Sequence, residues 1–341
     1  MATKKKGRYS GIGGQAVLEG IMMKNKDKYA VAVRKADGEI EVDIDEYTGV
    51  TKGNVLKNLP FLRGVFNFID SLVLGMKAIN YSASFYEDEA DKATGFDKVM
   101  EKIFKDKTEK VLTGFITFLS VLLAIGIFIF LPYYLTSWIT KNVRNETLTA
   151  LIEGVIRIII FILYIVLISI SKDIKRVYRY HGAEHKCINC IEHGKPLTVE
   201  NVMKSSRLHR RCGTSFLLLV VLFSVILFFF IRVDSPVLRL VIRLLLIPVI
   251  AGISYEVLRV AGRSNNIIVR IISAPGLALQ KLTTKEPDES MVEVAIAAVE
   301  AVFDWKDFLK EKFDLKEEEY NLASENTSEA TPENTSENTQ E

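Results

Sequence analysis

Cysteine and histidine are scarce in this chain, and they are confined to one short segment. The 341 residues include three cysteines and four histidines. In chain order these are His181, His185, Cys187, Cys190, His193, His209 and Cys212. Imidazole and thiolate are the ligands that zinc and neighbouring metals prefer. No other part of the chain offers them, so we interpret the rest as the structure that holds this segment in place.

Other features are absent as well. The 44 basic and 42 acidic residues leave a net charge of +2, and no sustained basic and aromatic surface indicates nucleic acid as a partner. The glycine-rich segment SGIGGQAVLEGIMMK lacks the spacing of a dinucleotide-binding loop, so we interpret it as a tight turn or close backbone packing. The N-terminus MATKKKGR runs into a polar segment, and no cleavable signal peptide is expected.

Long apolar runs, by contrast, are present. They lie at roughly 111–140, 148–171, 215–232 and 236–259. Each reaches the roughly 18 to 20 residues that a helix needs to cross a bilayer. The first carries no charge, whereas the second contains Glu153 and Arg157 and the fourth contains Glu256. The pattern predicts a mainly α, polytopic membrane protein with about four transmembrane helices.

The basic residues near these runs predict the orientation. The 172–214 segment is rich in lysine and arginine, and so is the approach to the first run. The connections on the other side hold only Lys141, Arg144 and Arg232. Because basic loops stay in the cytoplasm, both termini and the His/Cys segment should face it. Thiols in that reducing compartment are not expected to form disulfides, and the juxtamembrane lysines should meet anionic lipid.

These observations divide the chain into seven segments. They are a cytoplasmic β-rich unit at 1–54, interfacial and charged helices at 55–110, a transmembrane hairpin at 111–171, a cytoplasmic His/Cys loop at 172–214, a second transmembrane hairpin at 215–259, cytoplasmic interfacial and amphipathic helices at 260–323, and a disordered acidic tail at 324–341. Alternation at 29–33 and 39–45 around a turn predicts a β-hairpin. A break at Pro275 and a helix capped by Asp288 or Ser290 are expected after the fourth span.

The motif at 181–185 reads H-x-x-E-H. On a helix, His181 and His185 share a face, so both imidazoles can reach one metal. Glu184 is adjacent and can act as general base on a metal-bound water. This is the order of ligands and base in the inverted zinc-protease motif.

The remaining ligands are left open by spacing alone. Cys187-x2-Cys190 with His209-x2-Cys212 matches the paired knuckles of a structural zinc site. Alternatively, either His209 or Cys212 completes a catalytic site, which needs three protein ligands and an open position. Glu256 is a weaker candidate for a distant ligand, because a buried carboxylate in a span is costly. It could instead pair with Arg259 or Arg263.

Five segments together resemble the YqhQ-like bacterial membrane family, a domain of unknown function described as a predicted metal-dependent enzyme. They are GGQAVLEGIMMK at 13–24, LPFLRGV at 59–65, YHGAEHK at 180–186, SRLHRRCGTSF at 206–216 and KEPDESMVEVAIAA at 285–298. The resemblance implies a multi-pass protein of the bacterial cell membrane. It also implies that His181, Glu184, His185, His209 and Cys212 are the site residues. Cys187 and Cys190 lie outside the family pattern, Arg210 stands where proline is expected, and the first motif, including Glu19, is a further candidate to face the site.

The leading hypothesis is a membrane enzyme with a cytoplasm-facing metal site, most simply zinc, that hydrolyses a membrane protein, peptide or lipid. His181 and His185 would be ligands, with His209 or Cys212 as the third, and Glu184 the base. The alternative is a non-enzymatic scaffold or accessory factor in membrane-protein biogenesis that uses the same residues structurally. A transporter is a third and weaker interpretation, because the spans contain few charges.

Overall fold

The chain is mainly helical, with one small sheet near its N-terminus. The computed structural model describes residues 8–51, 59–86, 108–231, 233, 235–263 and 266–315. The predicted acidic tail at 324–341, and most of the predicted charged stretch before the first span, lie outside the described residues.

The sheet is an antiparallel meander of four strands in chain order. The strands are β1 (Gly13–Val17), β2 (Gly20–Asn25), β3 (Lys28–Arg34) and β4 (Ile40–Glu46). The predicted hairpin is confirmed as β3 and β4, in which Val31 lies opposite Asp43. The glycine-rich segment forms β1 and β2 rather than only a turn. Its backbone does pack closely, because a Cβ on Gly20 would lie 2.3 Å from the Ala32 carbonyl oxygen.

Helix α1 (Leu62–Ala83) follows the sheet and matches the amphipathic helix predicted within 55–85. Leu74 and Ala78 are buried against the sheet, where they join Met22, Val31 and Val33. Other apolar side chains of α1 are exposed. The helix therefore has one buried face and one exposed face, as its sequence predicted.

All four apolar runs form helices that are long and apolar enough to cross a membrane. The first is composite, with α2 (Thr108–Ile125), a π-helical turn (Gly126–Phe130) and α3 (Leu131–Ile139). The second is α4 (Glu146–Ile168), and the later α7 (Gly213–Phe230) and α8 (Pro236–Arg263) are the third and fourth. The predicted membrane class and span count agree with this arrangement.

The segment predicted as the His/Cys loop is largely helical. It contains α5 (Lys172–Glu192) and the short α6 (Val199–Met203). After the fourth span, α9 (Ile267–Thr283) continues through Pro275, so the predicted break is wrong. A proline is tolerated where neighbouring groups can satisfy the backbone that it frees.

Two further helices complete the described chain. Asp288 caps α10 (Glu289–Val302), as expected. The amphipathic stretch then divides, because the Asp304 side chain accepts a hydrogen bond from the Asp307 amide and starts α11 (Trp305–Phe313). Helices α5 and α10 cover the sheet face that carries Ile21, Met23, Ala30 and Ala32. Since α1 covers the other face, β2 and β3 are buried on both sides, which explains the weak alternation at 29–33.

Three charged residues inside the spans, Glu153, Arg157 and Arg243, pair with one another. Arg157 donates to Glu153 Oε1 over 2.8 Å, and Arg243 donates to Glu153 Oε2 over 2.8 Å. The pairing of Glu153 with Arg157 is as predicted, and Arg243 of α8 is an additional partner. Arg239 donates to the Val233 carbonyl oxygen instead. Buried charges are tolerated in such an arrangement because each has an opposite charge or an acceptor.

Candidate metal centre

Helix α5 carries the H-x-x-E-H motif into the interior. Its first half is basic and largely exposed, whereas the residues from Tyr180 to Glu192 are almost all buried. Gly182 is required at the entry point, because a Cβ there would lie 2.0 Å from the Lys285 carbonyl oxygen. The absence of a side chain allows the segment after α9 to pass directly over α5. That segment thereby covers the motif, which lies on α5.

Both histidines of the motif are oriented by backbone carbonyls. His181 Nδ1 lies 2.9 Å from the Thr283 oxygen, and His185 Nδ1 lies 2.7 Å from the Arg207 oxygen. A carbonyl oxygen only accepts, so each Nδ1 carries a proton and donates it. The Nε2 atoms are therefore the ones that could serve as metal ligands. The two rings are close, with centroids 4.4 Å apart.

Cys212 supplies the third converging atom. It caps α7, and its Sγ accepts from the Thr214 amide. His181 Nε2 lies 3.1 Å from this Sγ, and the ligand atoms of His181, His185 and Cys212 all lie within 4.8 Å of one another. Zinc bonds of about 2.0 Å to nitrogen and about 2.3 Å to sulfur place tetrahedral ligand atoms roughly 3.5 Å apart. The three groups fit a common metal ion.

The charges of His181 and Cys212 also suit metal binding. Burial raises the pKa of Cys212, but the nearby His181 and His185 outweigh it and hold that pKa well below its usual range. Burial lowers the pKa of His181, yet the Cys212 sulfur outweighs it and raises that pKa to about 9. The pair is thus a thiolate beside an imidazolium. A thiolate is the form that binds a metal, and metal binding would displace the proton of His181.

Glu184 is buried next to these ligands. Burial raises its pKa, opposed by His185 and His181, and the Gly14 amide donates to the carboxylate. A Cβ on Gly14 would lie 2.4 Å from Met23 Sδ and 3.0 Å from Glu184 Cγ, so only glycine fits here. Gly14 thus contacts the proposed base from β1. Gly14 belongs to the GGQ sequence, but the spacing of residues in the sequence does not connect it with Glu184.

A polar cavity of about 90 Å³ adjoins the cluster. Its lining comprises Ile12, Gly13, Gly14, His181, Glu184, His185, Ile188, His209, Arg211, Cys212 and Gly213. A water molecule occupies about 30 Å³ in the liquid. The cavity therefore has room for a metal ion and one or more water molecules.

His209 lines the cavity but lies outside the three-residue cluster. Gln280 of α9 holds its backbone, donating to the His209 oxygen over 2.7 Å and accepting from its amide over 2.8 Å. The Nε2 atom of His209 lies 3.6 Å from Glu192 Oε2 and 3.3 Å from Arg211 Nη2. Burial lowers the pKa of His209. Of the two open alternatives, the geometry favours Cys212 as the third ligand.

Glu192 is a site residue that the sequence did not indicate. Burial opposes its charge, but His209 and Arg211 outweigh this effect and lower its pKa to about 2. Glu192 also accepts from the amide and hydroxyl of Ser10 over 2.8 Å. It lies 17 positions before His209 in the chain, and no motif spacing links the two.

The weaker candidates have other partners. Cys187 and Cys190 lie in the hydrophobic core between the sheet, α5 and α10. Burial raises the pKa of Cys190 to about 12, and its thiol donates to the Pro196 oxygen over 3.4 Å. Glu256 pairs with Arg63 of α1 and lies 4.0 Å from Arg259, one of its two predicted partners. None of the three belongs to the cluster found among the described residues.

Glu19 also lies elsewhere. It forms an ion pair with Arg176 and accepts from the Tyr180 hydroxyl over 3.2 Å. The motif at 13–24 therefore contacts the site through Gly14. Glu19 instead links the β1–β2 turn to the exposed part of α5. Glu19 itself has a φ of 49°, which places it in the left-handed region.

These features define a polytopic membrane protein whose small sheet packs on helices that enclose a buried His–His–Cys cluster. The family model described as "Protein of unknown function (DUF1385)" matches residues 59–305. "Uncharacterized protein YqhQ" of Bacillus subtilis (strain 168) is 37% identical over 290 residues, which cover 83% of this chain and 89% of that protein. No solved structure matches. The chain belongs to this YqhQ-like family, as its motifs predicted.

Proposed function

We propose that this protein is a membrane-bound, metal-dependent hydrolase with zinc held by His181, His185 and Cys212. One observation carries the proposal. Both imidazoles donate Nδ1–H to backbone carbonyls, and their Nε2 atoms converge with a thiol lowered in pKa. Hydrogen bonding of the non-ligating nitrogen is the usual support for a metal-binding histidine. A purely structural polar cluster does not require that arrangement.

The residues divide the chemical work. Three protein ligands leave a fourth position open, as in catalytic rather than structural zinc sites. Zinc bound there would lower the pKa of a water molecule to about 7. Glu184 lines the same cavity, and its raised pKa suits it to accept and return a proton as a general base. Arg211 and His209 form another part of the cavity wall.

The surroundings support a substrate at the membrane surface. Cys212 immediately precedes α7, a candidate span, so the cluster lies at the end of the membrane-spanning helices. The basic residues of the 172–214 segment favour the cytoplasmic side for this end. Membrane proteins, membrane-bound peptides and lipids are the substrate classes that reach such a position.

The proposal is tested by metal analysis of the full-length protein purified without chelators. We expect about one zinc per chain in the wild type and in Glu184→Gln, but much less in His181→Ala. His193→Ala is the matched control, because His193 Nδ1 bonds the Asn189 oxygen of its own helix turn and lies outside the cluster found among the described residues. Activity would be measured as rescue of the phenotype of a deletion strain.

Two results would overturn the proposal. A wild-type protein without metal excludes a metal centre altogether. Metal-loaded Glu184→Gln with full rescue excludes Glu184 as the base, and the cluster would then serve a scaffold or an accessory factor in membrane-protein biogenesis.

A further inference from the structure

The polar cavity beside the cluster meets the surface at two glycines. Of the described residues that line it, Gly13 and Gly213 are the two exposed ones, and most of the others are buried. A Cβ on either glycine would meet nothing within 4 Å. Gly13 starts β1, so the chain that leads to it lies next to this opening. We call residues 8–11 of that chain the strap.

The strap is bound to Arg211 and Glu192, at the wall of the cavity. The Tyr9 ring centre lies 4.3 Å from the guanidinium of Arg211, which lines the cavity. Ser10 donates from its amide and from its hydroxyl to Glu192 Oε1, over 2.8 Å in each case. The Arg8 amide donates to the Glu192 carbonyl oxygen over 2.7 Å. Glu192 in turn pairs with Arg211, so the strap is attached to one ion pair beside the site.

These attachments lie at the surface, whereas the residue after the strap is firmly packed. Arg8, Tyr9 and Gly11 are exposed, and the strap adds no side chain to the hydrophobic core found in the described parts of the chain. Ile12, by contrast, is 4% exposed and belongs to that core. A segment with few buried apolar contacts opens locally at a small cost in free energy, while the fold around it stays intact. The strap can therefore leave the wall while Ile12 stays in place.

Gly11 lies at the junction of the strap and Ile12. It has a φ of 86°, in the left-handed region that glycine adopts without steric cost. A Cβ on Gly11 would meet nothing within 4 Å, so the backbone conformation rather than close packing favours glycine here. Gly11 is therefore the position at which the strap turns onto the wall.

We propose that the strap is a gate that controls entry to the polar cavity. In the closed position, Tyr9 covers Arg211 and Ser10 binds Glu192. In the open position the strap turns away at Gly11, and the cavity becomes accessible from the side that Arg211 lines. Under the proposed function, such a gate would admit the substrate and exclude water during the reaction. The gate itself does not depend on a bound metal, so its test is separate from that of the metal centre.

The experiment measures how fast N-ethylmaleimide labels Cys212 of the full-length protein in detergent, after a chelator has removed any bound metal. Cys212 lines the cavity and is 5% exposed, so its labelling reports the opening of the site. Cys187 and Cys190 are buried in the hydrophobic core, and their labelling reports the opening of the whole fold. Mass spectrometry of proteolytic peptides distinguishes Cys212 from these two.

Gly11→Ala should raise the labelling rate of Cys212 about fivefold or more, because alanine disfavours the left-handed conformation of the closed strap. Gly38→Ala is the matched control. Gly38 has a φ of 89° and open space at its Cβ position, but it lies in the turn between β3 and β4. The rate in this control should equal that of the wild type, and Cys187 and Cys190 should stay slow in both variants.

A second pair of variants tests the contact with Glu192. Ser10→Ala removes a hydroxyl donor and should raise the labelling rate of Cys212 severalfold, whereas Ser71→Ala removes a bond within its own helix and should not. A wild-type rate at Cys212 in either strap variant overturns the gate. Equal acceleration at all three cysteines also overturns it, because the whole fold would then be opening. Zinc content of the untreated samples tests the metal centre separately.

Discussion

The protein holds two buried polar clusters, and they differ in how their groups are directed. In the spans, Arg157 and Arg243 both donate to the Glu153 carboxylate. Next to the start of α7, His181, His185 and Cys212 direct their ligand atoms at one another beside a polar cavity. Opposite charges that pair directly need no bound ion. Three converging metal-ligand atoms, by contrast, do. Buried charge alone is therefore a weaker sign of a functional site than convergence beside a cavity.

Removal of the carboxylate from the spans should have the largest effect. Glu153→Ala leaves two buried arginines without their counter-charge, and we expect a loss of roughly 3–5 kcal/mol in the free energy of unfolding. Unfolding in detergent by denaturant measures this change. Glu146→Ala, at the exposed start of the same helix, is the control and should cost far less. Similar losses in the two variants would refute the direct pairing of charges in this cluster.

A change in the cluster of His181, His185 and Cys212 should instead weaken zinc binding. Cys212→Ala is expected to lower zinc affinity by at least about 100-fold, because it removes one of three protein ligands. Cys187→Ala is the matched change on a buried thiol and should retain zinc, with a cost in stability of about 1–2 kcal/mol from the small cavity. Competition with a chelating dye reports both affinities. Zinc lost equally from both variants would argue against the assignment of Cys212.

A smaller effect should follow from a change on the sheet side of the cavity. Gly14→Ala forces Met23 and Glu184 to shift, and we expect a loss of about 1–3 kcal/mol together with weaker rescue of a deletion strain. Gly13→Ala is the control, since a Cβ there meets nothing within 4 Å. Denaturation and rescue assays compare the two. If Gly14→Ala matched its neighbour, the close contact with Glu184 would be unimportant.

A last effect concerns pH and separates two glutamates of α5. Glu184 has a raised pKa, whereas that of Glu192 is lowered from 4.5 to about 2. A lowered carboxyl pKa stabilises the fold above its unfolded value, and this contribution is lost as the pH falls from 4.5 towards 2. The wild type should therefore lose more stability across that window than Glu192→Gln. Parallel stability profiles would contradict the ion pairing of Glu192.

The sequence predicted features that depend on composition and local spacing. Span length identified the four membrane helices, and the four-residue interval of His181 and His185 placed both on one helix face. The cap at Asp288 followed from the same local rules. The interpretation of the glycine-rich segment missed β1 and β2, because glycine does not favour strands and their partners are supplied by the fold.

Long-range pairing was beyond local rules. The contact of Glu192 with His209, and the hold of Gln280 on the His209 backbone, join segments with no shared pattern. Which of His209 and Cys212 belongs with the motif depended on those contacts. Pro275 misled the prediction because the tertiary setting of α9 tolerates it.

The carbonyl of Thr283 that orients His181 has a consequence for biosynthesis. Thr283 lies 102 positions after the histidine that it holds, and α10, which buries the first strands, comes later still. A ribosome has therefore finished all four candidate spans before His181 acquires this support, whereas the Arg207 carbonyl that orients His185 is synthesised earlier. Under the proposed function, metal would therefore bind after the C-terminal helices are complete rather than during membrane insertion.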